Sequence, residues 1–124
     1  MNVVDSSGWL EYFADDSNAI FFAPVIESTN ELVVPSISIY EVFKRVLQQR
    51  DESAALQAIA VMQQGLLVEL DTNLALNAAK ISIEYSLPMA DSIMLATAFS
   101  YDATLWTQDS DFSGIDGVKY IEKS

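Results

Sequence analysis

Acidic residues recur in this chain where apolar segments end. Asp5 closes "NVVD", Glu41 lies within "SISIYEVFKR", Asp91 sits at the mouth of "LPMADSIMLATAFS", and Asp109 and Asp111 share "TQDSDF". A carboxylate beside apolar sequence is costly unless something pairs with it. Each has an ordinary explanation when taken alone. Asp5 suits a turn or the cap of a following helix. Glu41 is spaced to pair with Arg45 four residues on. Asp109 and Asp111 suit a polar loop. Asp91 suits a helix cap or a first-turn acid favoured by the helix dipole. Against that last reading, Asp91 shares its helix face with Met94, Leu95 and Ala98.

The joint pattern says more. Carboxylates gathered at one edge repel, by about 4 kcal/mol for two unit charges roughly 4 Å apart at an effective dielectric near 20. A cation removes that cost. The chain contains no histidine and no cysteine. This excludes Ser-His-Asp and Cys-His nucleophilic schemes, disulfides and thiolate or imidazole zinc sites. A shared site would be all-oxygen, which suits a hard ion such as Mg²⁺ or Mn²⁺.

Elements that would position these acids are legible along the chain. Apolar runs at 2–5, 31–35, 66–70, 103–108 and 118–122 read as strands. Helical spacing marks a segment after Asp5 opened by Ser6 or Ser7, and a second over 17–30 interrupted by Pro24. A third opens at Ser36 or Ser38, with Ile39, Tyr40, Phe43, Val46 and Leu47 as its apolar stripe. Helices over 51–65, 71–86 and 87–100 follow, the first two begun by Asp51 and by Asp71 or Thr72, the last with Pro88 near its start. Strands alternating with helices imply an α/β fold, with a mainly parallel sheet between helical faces. Ligands collect beyond the carboxyl ends of such strands, which is where Asp5 and Asp109 fall.

Composition bounds the rest. A chain of 124 residues that is 51% hydrophobic, with three prolines and four glycines, suits one domain over 1–124. No apolar run approaches the roughly 18 residues of a membrane span, and the N-terminus lacks a signal-peptide pattern, so a cytoplasmic protein is expected. Eighteen acids against six bases give a net charge of −12. That repels nucleic acid globally, so binding one requires metal ions or a local basic patch.

Four stretches, "VVDSSGWLEYF" (3–13), "PSISIYEVFKR" (35–45), "LPMADSIMLATA" (87–98) and "LWTQDSDF" (105–112), together resemble the PIN domain family, and within it the VapC-type toxins of toxin–antitoxin pairs. The resemblance spans nearly the whole chain. It implies a three-layer α/β/α sandwich and an Mg²⁺- or Mn²⁺-dependent endoribonuclease that leaves a 5′-phosphate and a 3′-hydroxyl. Carried over, the catalytic and metal-binding carboxylates are Asp5, Glu41, Asp91 and Asp109, with Asp111 as an accessory metal ligand. Ser7 would orient Asp5, and Thr107 matches the hydroxyl residue before Asp109. The implied partners are RNA and a VapB-like antitoxin, with a homodimer also expected. Lys44, Arg45 and Arg50 are candidates to touch the RNA backbone, or are simply charges near a helix C-terminus. The apolar "AIFFAPVI" (19–26) is a candidate contact segment or plain core. Two other readings compete: a non-catalytic interaction protein on the same fold, and a receiver-like Mg²⁺-binding signalling domain. The second lacks the adjacent acid pair at the end of strand one and the lysine after "LWTQ".

Overall fold

A computed structural model describes all 124 residues. Strand β1 (Asn2–Val4) leads into α1 (Ser6–Ala14) and α2 (Ala19–Glu27), then β2 (Val33–Pro35) into α3 (Ser36–Gln49) and α4 (Glu52–Met62). Strand β3 (Leu66–Val68) is followed by α5 (Thr72–Tyr85) and α6 (Met89–Ser100), and the chain ends with β4 (Thr104–Thr107) and β5 (Val118–Tyr120). β1 pairs with β4, β4 with β5 and β2 with β3, all in parallel. A single parallel bridge, Asn2 to Leu32, joins the two groups. The resulting order is β3-β2-β1-β4-β5.

Alternation along the short strands makes the layers. Successive side chains point to opposite faces of a strand. Val3, Val33 and Leu105 therefore enter one core with Leu74, Ala78, Ile81 and Leu95 from α5 and α6. Val4 and Val34 enter a second core with Trp9, Phe22, Val42 and Met62 from α1 to α4. A sheet covered on both faces has near-continuous apolar strands, and this is the α/β/α sandwich that the element order implies. The chain leaves β1 toward β2 on one side and returns as β4 on the other. Ligands collect at such a reversal, beyond the carboxyl ends of the strands, here β1 and β4. No helix is long and apolar enough to cross a membrane.

Several boundaries differ from the sequence reading. Helix α1 is capped by Asp5, whose side chain accepts from Ser6 N, not by either serine. The segment 17–30 holds a shorter helix with Pro24 inside it, then a separate 3-10 turn at Thr29–Glu31. Helix α3 buries Ser38, Val42 and Val46 and leaves Tyr40 60% and Leu47 43% exposed. Its inward face is rotated from the expected stripe, because its packing against α1, α4 and α6 decides burial. In "AIFFAPVI", Ala19, Phe22, Val25 and Ile26 are core, while Ile20 is exposed.

Gly8 lets α1 lie close to its neighbours. A Cβ there would stand 2.6 Å from the Phe22 ring and 2.8 Å from Val4. Gly8→Ala should destabilise the protein by about 1–3 kcal/mol through overpacking, measurable as a lowered midpoint in urea denaturation.

Candidate metal centre at the sheet edge

The first turn of α1 arises where β1 runs out. Asp5 is extended, and its carbonyl accepts from Gly8 N (2.8 Å) and Trp9 N (3.1 Å), starting the helix. Its carboxylate is almost wholly buried and fully engaged. Oδ1 accepts from Ser6 N at 2.8 Å, and Oδ2 accepts from Ser7 Oγ at 2.7 Å and Thr107 Oγ1 at 2.9 Å. Burial pushes the Asp5 carboxyl up from its ordinary value; the Ser7 and Thr107 hydroxyls pull it back, and Asp109 and Glu41 push it up again.

Helix α3 carries Glu41, which accepts from Ser6 Oγ at 2.7 Å. That same hydroxyl lies 3.9 Å from Met94 Sδ of α6. The two serines after Asp5 thus serve two acids: Ser6 orients Glu41 and Ser7 orients Asp5. At the other edge, β4 ends in Thr107. Thr107 Oγ1 donates to Asp5 and accepts from Asp109 N at 2.9 Å. Asp109 Oδ1 accepts from Asp111 N at 2.9 Å, closing the 3-10 turn Ser110–Phe112.

Asp91 lies in the first turn of α6, which is capped by Pro88. It is half-buried, above the buried Met94, Leu95 and Ala98. Carboxylate oxygens of Asp91, Asp109 and Asp111 all lie within 4.8 Å of one another. Burial raises the Asp91 carboxyl to about 7, with further upward pushes from Asp5, Asp109, Glu41 and Asp111 in that order. All five acids singled out in the sequence therefore act on one place. Three oxygens at that spacing fit around a divalent ion that takes oxygen ligands at roughly 2.0–2.6 Å.

Lys44 Nζ lies 5.7 Å from the Tyr40 ring centroid. Arg45 lines a depression with Ser7, Gln108 and Lys123, and Arg50 lines an adjoining apolar groove with Leu10, Phe13 and Val46. Two contributors escaped the sequence reading. Ser6 was a candidate cap, and the doubled serine was the only sign of a second role. Gln108, buried just past the end of β4, reads in the sequence only as the last residue of the strand over 103–108.

The raised Asp91 group makes metal-free stability depend on pH. The unfolded chain ionises Asp91 near 3.8, the folded chain near 7. Between these values the folded state holds more protons, so stability falls as pH rises. In chelator, the melting temperature should drop as pH rises from about 4 to about 7 and level off above that, and Asp91→Asn should flatten that drop. A wild-type profile no steeper than the variant's would contradict the shared field.

Comparisons with known proteins identify the family and the fold. A family model described as the PIN domain matches residues 3–118. No curated protein matches by sequence. Among solved structures, a toxin–antitoxin complex from Klebsiella pneumoniae aligns at TM-score 0.80 and 21% identity, covering 96% of both chains. Mycobacterium tuberculosis VapC20, described as a sarcin-ricin-loop-cleaving toxin, aligns at 0.76 and 16% identity, covering 91% of this chain and 93% of that one. DNA-bound VapBC from Salmonella typhimurium aligns at 0.74 and 14% identity, covering 98% of each. With the family model spanning nearly its whole length, this chain belongs to the PIN domain family.

Proposed function

We propose that this chain is a divalent-metal-dependent endoribonuclease and the toxin member of a toxin–antitoxin pair, acting in the cytoplasm as one nuclease domain over residues 1–124. The observation that carries the reading is the clustering of Asp91, Asp109 and Asp111 within 4.8 Å, with Asp5 and Glu41 close enough to act on Asp91. Membership in the PIN family supports it, as does the likeness to proteins described as toxin–antitoxin complexes and as an RNA-loop-cleaving toxin.

Asp91, Asp109 and Asp111 would hold Mg²⁺ or Mn²⁺, with Asp5 and Glu41 completing the negative field. A bound divalent ion supplies a more acidic water and neutralises charge on the scissile phosphate. The protein's own groups fix the geometry. Ser7 and Thr107 hold both edges of Asp5 Oδ2, and Ser6 holds Glu41. Asp91 or Asp109 would orient the attacking water. Hydrolysis then leaves a 5′-phosphate and a 3′-hydroxyl, with no protein nucleophile required.

With a net charge of −12, the chain favours a partner segment bearing arginine or lysine. A VapB-like antitoxin is the partner we assign, along with RNA as substrate and a second copy of the chain in a homodimer. Arg45, which lines a depression with Ser7, is a candidate base for the RNA backbone; Lys44 precedes it on α3 and Arg50 caps the helix C-terminus.

The purified chain, free of partner, should cut RNA with Mn²⁺ or Mg²⁺ and stop with EDTA. Asp5→Asn and Asp91→Asn should each abolish cutting while keeping the far-ultraviolet circular dichroism of the wild type. Undiminished cleavage by both variants would remove the assignment. Mn²⁺ at about 100 times its Kd should stabilise the wild type by about 2.7 kcal/mol, seen as a raised melting temperature.

A further inference from the structure

We infer that Gln108 is a positioning residue of the acidic site, clamping the tip of β4 to the first turns of α1. The inference rests on the metal-site reading above. Gln108 is only 7% exposed, as is its partner Asn18. Gln108 Nε2 donates to Glu11 Oε1 at 3.1 Å and to the Ser7 carbonyl at 3.4 Å, both on α1. Its Oε1 accepts from Asn18 Nδ2 at 2.9 Å. Glu11 Oε2 accepts from Asn18 N at 2.9 Å, which closes a ring of three residues. Asn18 Nδ2 also donates to the Glu122 carbonyl at 3.1 Å, tying the C-terminal segment to the same ring.

The amide orientations are mutually determined. Asn18 must present its nitrogen to the Glu122 carbonyl, so Gln108 presents oxygen to Asn18 and nitrogen to the Glu11 carboxylate. A donor on a carboxylate is the stronger class of hydrogen bond. Neighbouring peptides carry the effect to the acids. Thr107 holds Asp5 and receives Asp109 N, and Ser7 holds Asp5 from the α1 side. Gln108 therefore links the two backbone segments whose separation sets Asp109 relative to Asp5. Asn18 serves the other side of the ring, toward the C-terminal segment, and touches neither Ser7 nor Asp109.

Calorimetric Mn²⁺ binding and metal-free melting of the full chain test the role together. Gln108→Met keeps the side-chain length without polar atoms and should weaken Mn²⁺ binding about tenfold, the scale of lost supporting contacts around a metal. Asn18→Ala should lower the melting temperature but leave Mn²⁺ affinity within about twofold, because it spares both contacts of Gln108 Nε2. Gln108→Asn, which keeps an amide but shortens its reach, carries the same expectation if Gln108→Met does not fold. Wild-type affinity in the Gln108 variant, or an equal loss in Asn18→Ala, would overturn the positioning role. These affinities decide the matter whether or not the wild type cuts RNA. A wild-type chain that binds no Mn²⁺ overturns this role and the metal-site reading together.

Discussion

Mutual repulsion among carboxylates is the constraint around which this fold is arranged. Asp91, Asp109 and Asp111 crowd within 4.8 Å, and Asp5 and Glu41 add their fields from the side. Local capping suits Asp5, Asp91 and Asp109 singly but does not bring them together. The arrangement persists because each acid is carried by an element anchored elsewhere: β1 and β4 by their ladder, α3 and α6 by apolar faces in the two cores. Hydrophobic burial in those cores is the dominant favourable term in folding, and it holds the charges at their edge.

Hydroxyl groups turn crowding into order. Ser6, Ser7 and Thr107 are neutral donors, so they fix carboxylates without cancelling their charge. A lysine or arginine in the same places would have formed ion pairs and left less charge for a cation. The outcome is a site that is oriented yet still negative, in keeping with a centre that gains its counter-charge from outside.

Much of the architecture was legible because it rests on periodicity. Runs such as "NVV", "LVVP" and "TLWT" announce buried parallel strands, and the acids that follow them mark the functional edge. What could not be read depends on partners distant in the chain. Tyr40 and Leu47 are apolar and helically spaced, yet the packing of α3 leaves them outside. The proton of Ser6 goes to a residue 35 positions away. Gln108 looks like the end of a strand because its bonding partners, Glu11 and Asn18, come together only after the sheet has formed.

Strand β1 has a further consequence for how such a chain can diverge. Val3 belongs to one core and Val4 to the other, and Asp5 follows at once as both cap and acid. A side-chain period of two means that a one-residue slip exchanges the faces of the strand. Inserting or deleting a single residue between Val3 and Asp5 would misdirect both cores and the carboxylate together. Exchanging one valine for isoleucine would disturb only packing. What the start of the chain encodes is therefore a count more than a set of identities, and the solved structures that share its fold at 14–21% identity are what such an encoding permits.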